Sequence, residues 1–372
     1  MTAGSHKARL AGGPMKAQRL LAALASVLVL LVGWAQPLFA AQASPAHARA
    51  SSTQAQSTHK QKPKAHDAAS KQTAAPTRRP DTAGPLSLVV VGDMMLADGP
   101  MDAMRKGQDP FAGFASLFAK ADIRIGNLEC VIASTGSPED DKPNVFRVHP
   151  RALKYLQRHF DAVGLGNNHS GDYGPQAFAQ MLGLLQQSHI GVYGGGMNLT
   201  EAHTPWIVER KGVRVAILGY DEFQPRSFEA DTDRPGVAWS EDSQVLRDIR
   251  AARMVHKADV VIPVMHWGWE EPIANDRQRQ LARLMIDAGA DAVIGGHPHQ
   301  LQDTERYKGK PIFYSLGNFV FDGFPLPINY IGWALRMELD KSGVQKVEAH
   351  VSHIGPTGLP KPGKVLADPT LP

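Results

Sequence analysis

Residues 290–299 read Ala-Asp-Ala-Val-Ile-Gly-Gly-His-Pro-His, and this stretch decides the fold class. Its first seven residues form a short apolar strand running into glycines that let the backbone turn tightly. The i, i+2 spacing then places His297 and His299 on one side of an extended segment, which suits one metal ion or two adjacent ones. Three other apolar runs finish alike: one leads into His266-Trp267-Gly268, one into Gly166-Asn167-Asn168-His169, and the first into Gly92-Asp93. Packing does not explain four strands that each finish in Asp, Asn or His. Ligands bind at the carboxyl ends of strands in open α/β sheets, so these positions mark a site.

Working outward, strand and helix patterns alternate from residue 86 onward. Strands are expected over residues 86–92, 123–125, 162–166, 260–265, 293–296 and 312–315. Helices are expected over 110–120, 150–160, 175–188, 240–256 and 276–288. Residues 206–209 and 213–219 read as a hairpin turning at Lys211-Gly212, and 333–339 with 344–351 as another turning at 340–343. Alternation followed by late hairpins predicts an α/β sandwich with mixed sheets.

The 372 residues, 43% of them hydrophobic, can bury one large core or two modest ones. The formal charge of +4 is unevenly spread: residues 1–85 carry eleven Lys/Arg and two acids, a net of +9, which leaves −5 for the remainder. The folded part is mildly acidic, so a nucleic-acid surface is not supported. In residues 1–43, Lys16 and Arg19 precede an apolar run over 20–32, and Ala41-Gln42-Ala43 offers a small-x-small cleavage site. This pattern is that of an export signal, cleaved in preference to being kept as a membrane anchor. Residues 44–85 lack the aliphatic and aromatic side chains needed for a core and read as a disordered basic tether, with His47, His59 and His66 solvated. The folded domain is expected over 86–372. A single cysteine, Cys130, excludes an intrachain disulfide and a signal-proximal lipid attachment, and reads as a small buried hydrophobe.

The strand-end motifs resemble those of the bacterial CapA family, linked to capsule and poly-γ-glutamate synthesis, whose fold is similar to the calcineurin-like metallophosphoesterases. The resemblance spans residues 86–325 and rests on Gly92-Asp93, Asn127-Leu128-Glu129, Gly166-Asn167-Asn168-His169, His266-Trp267-Gly268 with Glu270, Gly296-His297-Pro298-His299, and Tyr314-Ser315-Leu316-Gly317-Asn318-Phe319 in that order. It implies a four-layer α/β/β/α sandwich with the motifs gathered at one end of two sheets. It also implies metal ligation by Asp93, Asn168, His266, His297 and His299, with Glu129 supplying a further carboxylate and His169 protonating the leaving group. Asn127 stands where a bridging aspartate would stand, and Met95 where a second first-motif ligand would. Glu270 would orient a ligand histidine or cap the next helix, and Asn318 would support the site.

The implied cofactor is one or two divalent ions, with Mn, Fe, Zn and Mg all compatible with such ligands. The implied partners are an anionic envelope polymer or its precursor, together with membrane-bound synthesis or export components. The expected function is therefore that of an exported, metal-dependent hydrolase-like protein. The competing expectation is a non-catalytic binding or assembly component. No serine elbow, P-loop or Rossmann fingerprint is present in a suitable setting, so any energy coupling belongs to a partner.

Overall fold

The computed structural model describes residues 84–223 and 226–371. The expected signal (1–43) and all but the last two residues of the tether (44–85) therefore lie outside the described residues. No helix among the described residues is long and apolar enough to cross a membrane.

Two sheets carry the fold. The eight-stranded sheet runs Pro360–Ala367, Gly343–Ile354, Ile331–Asp340, Leu86–Met94, Ile123–Leu128, Ala162–Gly164, Gly191–Tyr193, with Asn318–Val320 pairing parallel to the end of Leu86–Met94. The six-stranded sheet runs Thr304–Tyr307, Lys310–Phe313, Val293–Gly296, Val260–His266, Val213–Asp221, Trp206–Arg210. Both are mixed: the six-stranded sheet has a parallel centre with an antiparallel strand at each edge, and the eight-stranded sheet is parallel from Leu86–Met94 to Gly191–Tyr193 and antiparallel on the other side. Strand alternation sorts the core. Leu88 and Val90 share an apolar cluster with Val215, Ile217, Ile262 and Ile294, which joins one sheet to the other. Val89 and Val91 point the opposite way, to Met104, Phe118, Leu156 and Met181 on helices. On the six-stranded sheet Val261 and Val293 do the same with Val245, Ile249, Leu281 and Met285. Central strands buried on both faces need near-continuous apolar sequence, and Leu86–Met94 supplies it.

Several elements differ from the sequence reading. The expected helix over 110–120 is a 3-10 turn, Ala112–Phe114, followed by the short helix Ala115–Ala119. Gly113 lies against the Pro360 carbonyl, where a Cβ would meet that oxygen at 2.7 Å. The last strand, Pro360–Ala367, was hidden by its two prolines, a composition tolerated at a sheet edge where N–H groups need no ladder partner. The helix Asp98–Arg105 was likewise masked by Gly99-Pro100.

Candidate metal centre

The central strands of both sheets deliver their carboxyl ends to one place. Asp93 pairs in register with Asn127 on one side and Asn318 on the other, and Glu129 follows Ile123–Leu128 directly. His266 closes Val260–His266 and pairs with Gly296, immediately before His297. Gly296 must be glycine here, because a Cβ would lie 2.5 Å from Asp93 Oδ1. That closeness lets the His297 N–H donate to Asp93 Oδ2 at 3.0 Å. One expectation is corrected at this point. His297 and His299 do not lie on an extended segment: the strand ends at Gly296, and both residues have left-handed backbone, with φ of 92° and 55°. Their rings still converge, with centroids 5.7 Å apart, because the loop is held in this sparsely populated conformation.

Asp93, Glu129 and His266 are buried with donor atoms within 4.8 Å of one another. Glu129 Oε1 lies 3.5 Å from His299 Nε2 and 3.7 Å from His266 Nε2, and His297 Nδ1 lies 3.3 Å from His266 Nε2. Both Glu129 oxygens and His297 Nε2 are buried without a hydrogen-bond partner among the described residues. Burial, reinforced by the neighbouring Asp93 and Asp172, pushes the Glu129 carboxyl well above its usual range. Burial likewise raises Asp93, partly offset by His299 and by donors from Asn127 and His297. Desolvation, then the neighbouring imidazoles, holds His266 and His297 well below the usual histidine range, so both keep lone pairs at neutral pH.

An unpaired buried carboxylate is costly, and a divalent cation would relieve it. Donors about 2.1 Å from one ion sit about 3.0–3.4 Å apart, close to the separations found here. The donor set therefore fits a divalent ion bound by oxygen and nitrogen.

Asn318 orients one of these imidazoles. Its Nδ2 donates to the Asn329 and His299 carbonyls, which leaves Oδ1 to accept from His299 Nδ1 at 2.9 Å. The His299 lone pair is therefore on Nε2, facing Glu129. Asn168 Oδ1 meets His266 Nε2 at 2.8 Å. Glu270 performs neither role expected of it. It is exposed, no hydrogen bond or ion pair joins it to the cluster among the described residues, and Asn275 caps the following helix in a capping box with Gln278. Met95 faces away from the centre, in the apolar cluster beneath the helices.

Beside the cluster, His169 Nδ1 donates to Asp172 Oδ2 at 2.8 Å, and Asp172 is held in turn by Lys142 and the Phe146 N–H. Burial lowers the His169 pKa, partly opposed by Asp172, so the neutral ring keeps Nε2 as an acceptor. Asp172 and Lys142 were missed in the sequence. Asp172 had a local signal, three residues after His169; Lys142 had none within its charged loop. Asp221 was also missed: it ends the strand beside His266, and burial pushes its carboxyl up to about 7. Phe146 and Phe223 pack on His169 and His297, with ring centroids 4.5 and 4.0 Å away.

This set of strand ends coincides with a family match. Residues 87–323 match the model of the bacterial capsule synthesis protein PGA_cap. The chain belongs to the PGA_cap family. A curated relative, "PGA biosynthesis protein CapA" of Bacillus subtilis (strain 168), is 35% identical over 243 residues, 64% of this chain and 63% of that protein. "Capsule biosynthesis protein CapA" of Bacillus anthracis is 32% identical over 246 residues, 64% of this chain and 60% of that protein. The match thus spans about three-fifths of the length of these PGA_cap relatives. Among solved structures, a phosphatase from Mycoplasma pneumoniae shows TM-score 0.48 at 13% identity, over 72% of this chain and 93% of that one. A 5'-nucleotidase precursor from Thermus thermophilus shows TM-score 0.46 at 14% identity, over 75% and 56%. Every residue of the cluster, from Asp93 to Asn318, falls inside the PGA_cap match.

Proposed function

We propose that the chain is an exported, metal-dependent hydrolase-like protein that acts on an anionic envelope polymer of the poly-γ-glutamate class. One observation carries the reading: the Glu129 carboxylate, unpaired among the described residues, faces the His299 Nε2 lone pair, with the His169–Asp172 pair alongside. Glu129, Asp93, His266, His297 and His299 would hold a divalent ion, which supplies charge neutralisation and a water ionised near neutral pH. Asp172 keeps the His169 proton on Nδ1 and directs Nε2 outward. A bound polyanion would raise the His169 pKa, and the protonated ring would then donate to the departing group. The packed Phe146 and Phe223 rings restrict water at the two imidazoles. The signal-like sequence pattern of residues 1–43 and the curated PGA relatives support placement in the cell envelope with membrane-bound synthesis components.

The second reading is a non-catalytic assembly role. It is favoured by a Mycobacterium tuberculosis relative named "Probable polyglutamine synthesis accessory protein", 34% identical over 215 residues, 54% of this chain and 56% of that protein. Purified full chain separates the two. Replacing His297 and His299 together by Ala should remove bound divalent ion. His169→Ala should retain the ion while abolishing cleavage of poly-γ-glutamate. A wild-type chain without divalent ion, and a His169→Ala chain that still supports polymer assembly in cells, would establish the assembly role instead.

A further inference from the structure

The residue lying between Asp93 and His266 is Asn127, and its amide orientation is fixed from the backbone outward. The His169 N–H donates to Asn167 Oδ1 at 3.1 Å, so that end of the Asn167 amide is oxygen. Asn167 Nδ2 therefore donates to the Leu128 carbonyl at 3.0 Å and to Asn127 Oδ1 at 2.9 Å. With its oxygen taken, Asn127 turns its two N–H groups into the centre. One donates to Asp93 Oδ1 at 2.8 Å, and the other meets His266 Nδ1 at 3.2 Å.

An asparagine can ligate a cation only through its amide oxygen; its NH2 end is a pure donor. Centres with two ions hold them about 3.5–4 Å apart and clamp the reacting oxygens between them. Here the shared position offers hydrogens, which repel a cation. The second first-motif position, from which a second ion would draw a ligand, is also closed. Met95 is buried in the apolar cluster, and its Sδ accepts from the Ala97 N–H at 3.1 Å. Charge points the same way. Asp93 and Glu129 balance one divalent ion; of the other buried acids nearby, Asp172 is already committed to Lys142 and His169, and Asp221 adds only a single charge. A second divalent ion would leave a buried positive charge uncompensated.

We propose that this centre takes one divalent ion, with the Asn127 amide, oriented by Asn167, standing in place of a second. The inference rests on the metal-dependent reading above and narrows it. The test is a count made on full-length protein that has been stripped of metal and dialysed against excess Mn2+. The wild type should hold one Mn2+ per chain, with the electron paramagnetic resonance spectrum of an isolated ion. Asn127→Asp restores an anionic bridging oxygen and should take up two, with a spin-coupled spectrum. Two coupled ions in the wild type, or an Asn127→Asp chain that stays at one, would overturn the inference while leaving the metal-dependent reading intact. No Mn2+ in the wild type would remove both. Should Asn127→Asp fail to fold, the wild-type count and spectrum still decide.

Discussion

Replacing Glu129 by Gln changes one charge at nearly constant shape, and the structure fixes the sign of the effect. Both carboxylate oxygens are buried and unpaired among the described residues, and Oε1 lies 3.5 Å from the His299 Nε2 lone pair. In metal-free protein that arrangement sets acceptor against acceptor. A Gln amide would turn an N–H donor toward His299 and remove the like charge beside Asp93. Leaving a buried polar group unsatisfied costs about 1–3 kcal/mol, so metal-free Glu129→Gln should be more stable than wild type by about that amount. The effect should grow with pH. The folded-state pKa of Glu129 is raised above its ordinary 4.5, so its contribution to stability is intact below 4.5 and is lost as pH rises toward the folded value. Adding Mn2+ at one hundred times its Kd should stabilise wild type by about 2.7 kcal/mol and leave the variant almost unchanged. Urea unfolding at pH 8, with chelator and with Mn2+, measures both quantities. A variant less stable than wild type in chelator, or one that gains as much from Mn2+, would refute the reasoning.

Two further outcomes follow from the same geometry. Ion uptake needs Glu129 as a carboxylate, and burial pushes its carboxyl well above the usual range while holding His266 and His297 neutral, so uptake should tighten as pH rises and release protons; calorimetry in buffers of different ionisation enthalpy reads the number, and an affinity independent of pH with no release would contradict the assignment. Away from the site, Arg124 clamps Asp161 through Nε at 2.9 Å and Nη2 at 2.7 Å, with 2% and 11% of the two side chains exposed. Asp161→Asn would leave the guanidinium buried without its counter-charge and should cost about 3–5 kcal/mol of unfolding free energy in urea, and a loss below 1 kcal/mol would show the pair to be dispensable.

What could be read from sequence was what local chemistry specifies. The helix Asp276–Ala288 was placed to the residue, because Asn275 and Gln278 form a capping box and Gly289 ends it with φ of 117°. The hairpin at Lys211-Gly212 was legible because both turn residues adopt left-handed backbone, with φ of 52° and 76°. Strand ends in Asp, Asn and His were equally visible, and the structure gathers them. What escaped depends on distance. Asn167 makes a local turn contact with the His169 N–H, but its grip on Asn127 spans forty residues. Lys142 reaches Asp172 from a loop whose other charges are solvated, so no local pattern sets it apart. Glu270 failed for the converse reason: adjacency to the His266-Trp267-Gly268 motif suggested a role, but the left-handed turn at Gly268 is followed by an exposed loop.

An anomalous-scattering map of crystals grown with Mn2+ would show whether the buried carboxylate and imidazole cluster is a metal centre. One peak per chain is expected, about 2.0–2.6 Å from a Glu129 oxygen and from imidazole nitrogens of the cluster. A map without a peak among Asp93, Glu129, His266, His297 and His299, with Mn2+ bound elsewhere or not at all, would contradict it.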